Sequence, residues 1–299
     1  MFRALAFISL IAVQTVALAA DFKVGDRVFW KDGTRGSDGS QEISIKKFAF
    51  PSTVLEIKND FLFLGAGWIN KNDALSTDEA LEYFSERVKQ HPKEPGYWIN
   101  RGLVWEEKRD FDKAIADYQE AAKFAPDDAT AHNSLGTAYQ KKGDHKAALA
   151  HFDAALKADP QSAIAYYNRG RANQYTGNYA AASKDYQEAA RVDPNYLPAY
   201  NNAAWLAATC PEEKYRDPTL AVELAQKAVA MTQGKVWEAL DTLAAAQAAS
   251  GDYTAAVATS QQALELGSDA AVHGGVRDRM VLYQSGKPYN MPVDSPASP

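Results

Sequence analysis

Residues 97–128 read YWINRGLVWEEKRDFDKAIADYQEAAKFAPDD, residues 131–162 read AHNSLGTAYQKKGDHKAALAHFDAALKADPQS, and residues 166–196 read YYNRGRANQYTGNYAAASKDYQEAARVDPNY. Laid over one another, the three stretches repeat every 34 residues. Gly102, Gly136 and Gly170 share one position. Ala114, Ala148 and Ala182 share a second; Tyr118, Phe152 and Tyr186 a third; Ala121, Ala155 and Ala189 a fourth. Pro126, Pro160 and Pro194 close the units. The small residues let two antiparallel helices cross closely, and the aromatic is expected to fill the space between repeats. Proline cannot continue a helix, so it ends the second helix of each unit. Gly143-Asp144 and Gly177-Asn178 supply the turns between the two helices.

A 34-residue period with small residues at fixed places and a terminal proline is the tetratricopeptide (TPR) pattern. It predicts a mainly α chain, a solenoid of helical hairpins wound as a right-handed superhelix. Two weaker units follow. Tyr200, Ala204 and Trp205 open a fourth. Its second helix arrives five residues late, with Ala221, Ala225 and Ala228, after the polar insertion CPEEKYRDP from Cys210 to Pro218. A fifth runs from Trp237 to Leu266, with Ala244 at the glycine position and Gly251-Asp252 as its turn. Backward, Ala80, Phe84 and Pro92 stand 34 residues before Ala114, Tyr118 and Pro126. The stretch STDEALEYFSERVKQHP (76–92) therefore reads as a lone second helix, opened by a capping box from Ser76 to Glu79 and expected to stack on the first full repeat. Val276 to Gln284 is expected to form one more helix capping the last apolar face.

Alanine occurs 4 times in residues 21–110 and 42 times in residues 111–270, so the two stretches are of different fold types. Residues 22–75 hold short β-branched and aromatic runs: FKVGDRVFW, EISIKKFAF, STVLEIKN, DFLFLGAG and GWINKND. Turn signals such as Asp32-Gly33 and Asn59-Asp60 separate them. Thr53, Leu55 and Ile57 alternate with Val54, Glu56 and Lys58. Five short strands in about 50 residues fit a small all-β barrel better than a sandwich. DGTRGSDGSQ reads as a flexible loop without the spaced carboxylates of a calcium site. The expected organisation is a signal peptide (1–20), a β domain (21–75), a half-repeat helix (76–94), about five repeats (95–269), a capping helix (270–286) and a disordered tail (287–299).

The N-terminus carries a secretory signature. Arg3 precedes a mostly apolar run from Leu5 to Leu18, and Ala17-Leu18-Ala19 offers the small residues of a cleavage site. The run is short for a membrane span, and no Cys follows it for lipid attachment. The expected location is periplasmic or secreted, with no membrane insertion after cleavage. Lys+Arg number 32 against Asp+Glu 38, a net charge of −6, which argues against nucleic acid as a partner. A single cysteine excludes an internal disulfide.

Several segments resemble exported bacterial proteins that join an SH3-like barrel to tetratricopeptide repeats. VGDRV (24–28), GWINKNDALSTDEALEYFSERVKQHP (67–92), ATCPEEKYRD (208–217), LDTLAAA (240–246) and LYQSGKPY (282–289) carry the likeness. It implies an SH3-like β domain and an exported protein, and little about activity. Related chains often carry a second Cys in a KAC stretch where this one has Lys227-Ala228-Val229, so Cys210 is read as buried and inert.

No catalytic, cofactor or metal site is expected. His91, His132, His145, His151 and His273 lack ligand spacing, and His132 occupies the place of Trp98 in the repeat, a packing position. No G-x-S-x-G elbow, P-loop or H-E-x-x-H occurs. Trp30, Phe63 and Trp68 are read as core filling in the β domain. Binding is expected in the concave groove, lined by the first helix of each hairpin. Counting from Pro95, the family's groove positions are the second, fifth, ninth and twelfth of each unit. The fifth positions are Ile99, Asn133, Tyr167 and Asn201; the ninth are Leu103, Thr137, Arg171 and Trp205; the twelfth are Glu106, Gln140 and Gln174. Asn133, Gln140, Gln174 and Asn201 could clamp a peptide backbone, Tyr167 and Trp205 anchor apolar side chains, and Arg171 pair with a carboxylate. A C-terminal carboxylate clamp is not expected, because Ile99 and Leu103 replace its Lys and Asn. These readings point to a non-enzymatic exported adaptor that binds protein or peptide partners in the groove. The alternative is cell-wall or envelope binding through the SH3-like domain, with the repeats as spacer.

Overall fold

The computed structural model describes residues 22–37, 42–43, 51–267 and 270–292. The signal peptide expected at 1–20, residues 44–50 of the second expected strand and residues 293–299 of the tail lie outside the described residues. The chain divides into two compact units at Lys89/Gln90.

Among the described residues the first unit holds eight short strands: β1 (Arg27–Trp30), β2 (Gly36–Ser37), β3 (Glu42–Ile43), β4 (Ser52–Thr53), β5 (Glu56–Lys58), β6 (Phe61–Phe63), β7 (Trp68–Asn70) and β8 (Ala74–Leu75). They form two antiparallel sheets, ordered β4-β1-β8 and β3-β2-β7-β6-β5. Val28, Val54, Leu62, Leu64, Ile69 and Ala74 make the core between them, with Phe22 and Trp30 against it. β5 and β6 turn at Asn59, whose φ of 55° is a left-handed conformation asparagine tolerates.

Three expectations change here. Among the described residues the sheets do not close into a barrel. The stretch STVLEIKN is not one strand. β4 pairs with β1 and β5 with β6, so the chain changes sheet at Val54 and Leu55. Val54 is fully buried while Leu55 and Ile57 are exposed, the reverse of an apolar face on odd positions. The loop DGTRGSDGSQ also contributes β2, which pairs with β3 and β7.

Helix α1 (Thr77–Gln90) begins with the expected capping box: Ser76 N donates to Glu79 Oε2 at 2.8 Å and Glu79 N to Ser76 Oγ at 3.4 Å. It buries Ala80, Phe84 and Val88. The turn after β1 holds it: Asp32 N donates to Tyr83 Oη at 3.0 Å, and Arg87 pairs with Asp32 at 3.3 Å. The division at Lys89 places this helix with the strands.

The second unit is helical: α2 (Pro95–Glu107), α3 (Phe111–Phe124), α4 (Ala129–Lys142), α5 (His145–Ala158), α6 (Ala163–Tyr175), α7 (Tyr179–Val192), α8 (Leu197–Thr209), α9 (Pro218–Met231), α10 (Trp237–Ala249), α11 (Tyr253–Leu266) and α12 (Ala270–Gln284). Consecutive helices pair into five hairpins, and each hairpin packs on the next. A TPR-type solenoid is therefore the main architecture.

The 34-residue positions have visible causes. A Cβ on Gly136 would stand 2.5 Å from the Phe152 ring, and one on Gly170 2.8 Å from Tyr186; Tyr118 closes on Gly102 in the same way. The aromatic thus packs inside its own hairpin, not between repeats as expected. Arg101–Asp117 and Arg169–Asp185 repeat one ion pair across two hairpins, each at 2.6 Å. Trp98 Nε1 donates to Pro92 O and His132 Nε2 meets Pro126 O, both at 2.9 Å, so His132 fills the packing role expected of it. Asp110, Asp128, Asp144, Ser162, Asp217 and Asp252 cap helix N-termini through their side chains. The insertion in the fourth hairpin forms a short 3-10 turn at Glu213–Tyr215. Asp217, near its end, donates its N–H to Ala207 O at 2.9 Å in the last turn of α8.

Candidate functional site

The residues expected to line the groove stand on the first helices of the hairpins, α2, α4, α6 and α8. At the twelfth position a repeating device appears. Tyr118 Oη donates to Glu106 Oε1 at 3.1 Å, and Tyr186 Oη to Gln174 Oε1 at 2.8 Å. Glu106 also pairs with Lys141. In the second hairpin the aromatic is Phe152, which has no hydroxyl. Gln140 keeps a buried Nε2 without a hydrogen-bond partner among the described residues.

Asn133 and Tyr167 are tied to the next first helix. Asn168 Nδ2 donates to Asn133 Oδ1 at 3.1 Å, and Asn202 Nδ2 to Tyr167 Oη at 3.4 Å. Each donor stands 35 residues after its acceptor. Sequence reading missed Asn168 and Asn202, although that spacing, one repeat plus one residue, was available to find them. Tyr167 also meets Tyr196 edge to face at 5.5 Å and Tyr186 at 5.9 Å. Arg171 lies over the Tyr167 ring, 5.9 Å from its centroid, and has no carboxylate partner among the described residues. His145 stacks on Tyr175 at 4.4 Å with its Nδ1 buried and unpartnered. Burial, and then the Arg171 charge, hold His145 below the ordinary histidine value. These expected groove positions thus gather a guanidinium without a carboxylate and an amide N–H without an acceptor among the described residues, with an imidazole and tyrosine rings nearby.

The distal part differs. Asn201 is only 8% exposed, with its Oδ1 unpartnered. Gln174 and Trp205 are each 3% exposed, because the chain's own C-terminal segment lies on them. Gln174 Nε2 meets Met291 Sδ at 3.5 Å, and the Trp205 ring lies 5.8 Å from Tyr289. Of the seven groove residues expected, Asn133, Gln140, Tyr167 and Arg171 therefore form the accessible part, while Gln174, Asn201 and Trp205 are covered or buried. Residues 287–292 of the expected disordered tail are placed against the repeats; only 293–299 fall outside the described residues.

Cys210 is fully buried, and burial raises its thiol above the ordinary value, which opposes thiolate formation. Among the described residues no group of three His, Cys, Asp or Glu side chains is placed to hold a metal ion. Among them, too, no helix is long and apolar enough to cross a membrane. In the first unit, Ser37, Lys58, Asn59, Phe61 and Trp68 line a surface cleft; Phe61 is exposed there, and Trp68 leans on Phe63 at 5.1 Å.

Family models described as TPR repeat and tetratricopeptide repeat match residues 107–143 and 127–195. The chain is similar in fold to PilW, a widely conserved type IV pilus biogenesis factor, at 20% identity and a TM-score of 0.59, over 67% of this chain and 90% of that one. It is similar to YrrB, a TPR protein with an unusual peptide-binding site, at 18% identity and a TM-score of 0.52, over 67% of this chain and all of that one. A tetratricopeptide repeat protein from Parabacteroides merdae matches at 18% identity and a TM-score of 0.56, over 70% of this chain and 81% of that one. No curated protein matches the chain.

Proposed function

We propose, from the premise that this is a tetratricopeptide repeat protein, that it is an exported, non-enzymatic adaptor whose groove takes an extended, acidic segment of a protein partner. The observation that carries the reading is Arg171, a guanidinium left without a carboxylate beside Tyr167. A partly buried charge is costly unless a partner completes it, and a guanidinium pairs best with a planar carboxylate in two parallel hydrogen bonds. Gln140 Nε2 adds a donor in want of an acceptor. The Asn133 amide, held by Asn168, is oriented for a peptide backbone. The experiment is an array of extended peptides graded in glutamate content, read against the intact protein and Arg171→Glu. Binding should rise with glutamate in the intact protein, and the exchange should lower it by about tenfold or more for the acidic peptides. Binding indifferent to glutamate content in both proteins would sink the assignment.

A second reading rests on the Phe61–Trp68 cleft of the first unit, which we read as SH3-like in kind and as a contact to cell wall or envelope. Sedimentation with purified wall that is lost in Phe61→Ser favours it; sedimentation unchanged in that variant removes it.

A further inference from the structure

The C-terminal segment does more than close the last repeat. Helix α12 ends in a Schellman turn: Gly286 N donates to Tyr283 O at 2.9 Å and Lys287 N to Leu282 O at 3.0 Å, with Gly286 at φ 69°. Pro288 follows, and the chain reverses. A terminal cap needs to cover only α11 and α12. This segment instead runs back over the groove faces of earlier hairpins. Tyr289 meets Trp205 of α8 at 5.8 Å and Arg279 of α12 at 5.6 Å, and packs against the cluster built from Ala244 and Ala248 of α10. Asn290 Oδ1 accepts from Arg216 Nη1 of the fourth-hairpin insertion at 2.9 Å. Met291 is 3% exposed, meets Gln174 of α6, and donates its N–H to Thr209 O at 2.8 Å, filling an open carbonyl at the end of α8.

These are the contacts of an extended peptide ligand: two side-chain anchors two residues apart, one backbone hydrogen bond and one polar contact between them. We propose that Pro288–Met291 is an intramolecular occupant of the distal groove, and that this half of the groove is a site for extended segments carrying the pattern Tyr-x-Met. A partner using the whole groove displaces the segment to enter. The inference rests on the groove reading above and names what its covered half recognises. Retention in place follows from tethering: a short linker gives the segment an effective concentration of order millimolar, so even a weak ligand stays bound in cis. A free peptide of the same sequence then finds the groove occupied.

The test uses the full chain and a Tyr289→Ser/Met291→Ser variant, with a labelled peptide GKPYNMP as probe. The opened variant should bind the probe at least ten times more tightly than the unaltered chain, and a probe with serine at the Tyr and Met places should not bind. A variant that melts as the parent does yet binds no probe, or a parent that binds as well as the variant, would overturn the inference. Hydrogen exchange on the unaltered chain decides the matter if the variant fails to fold. The Met291 amide should exchange by local opening, much faster than the Cys210 amide, which donates to Leu206 O within α8. Exchange of both amides at one rate makes the segment a fixed part of the core. Failure of the probe with the Arg171 dependence intact rejects this inference alone. Probe binding without any glutamate preference rejects the acidic reading alone.

Discussion

At the scale of single residues the fold rests on close approaches. Gly136 leaves no room for a methyl group, because its Cβ would stand 2.5 Å from the Phe152 ring. Gly136→Ala should destabilise the second unit by about 1–3 kcal/mol, read as a lower urea midpoint at unchanged slope. Adding Phe152→Leu should recover part of the loss, which an effect of helix propensity alone would not. Arg109 makes the complementary case. It stands 34 residues before Gly143, and both are left-handed, with φ of 60° and 90°. Both donate to the carbonyl three residues back, and the residue after each donates to the carbonyl five back, closing the same turn. A side chain in that conformation costs about 1–2 kcal/mol. Arg109→Gly should therefore stabilise the fold by about 0.5–1 kcal/mol after glycine's added freedom in the unfolded chain, read as a higher urea midpoint. The glycine and aromatic positions were legible in the sequence, since the same spacing recurs three times, but their pairing inside one hairpin was not, because spacing alone does not say which helix face the ring lies on. Gln140's missing partner was legible too, because phenylalanine replaces tyrosine only at residue 152. The burial of Trp205 was not, because the residue that covers it lies 84 positions away, outside the repeat.

At the scale of elements, helix α5 carries two charge-sensitive positions, one turned to α4 and the other to α6. His151 lies against Tyr139 at 5.3 Å and His132 at 5.9 Å, and His145 against Tyr175. Burial lowers both His145 and His151 below 6.5, with Arg171 adding for the first and His132 for the second. The unfolded chain then takes up protons before the folded one as pH falls, so this stability is present above 6.5 and is lost on acidification through the folded values. Between about pH 7.5 and about pH 5.5 the melting temperature should fall less in His145→Gln/His151→Gln than in the unaltered protein. Equal falls would place the acid sensitivity elsewhere. Helix positions were readable because turn residues, capping side chains or prolines bound most of them. The strands were harder. STVLEIKN reads as one strand, but its two halves pair with different partners, and pairing is a long-range choice that alternation alone does not carry.

At the scale of the molecule, the two units have separate cores, one around Val28, Val54 and Ile69, the other running through the hairpins. A chain of residues 90–299 should keep its helical circular dichroism and a cooperative melt. Loss of the melt would show that the first unit is required for folding of the second. The repeat was legible in the residues alone: its period, its helices and the places of its small residues. Those follow from contacts within one hairpin and between neighbours, which a 34-residue rhythm records. Only the tertiary structure decided which groove positions stay open. The insertion at Cys210–Pro218 and the segment after Gly286 are outside the rhythm, yet Arg216 of the one donates to Asn290 of the other, and Met291 donates its N–H to Thr209 O at the end of α8. A contact that closes a long loop leaves no periodic trace, so the covering of Gln174 and Trp205 by Met291 and Tyr289 is visible only in the folded chain.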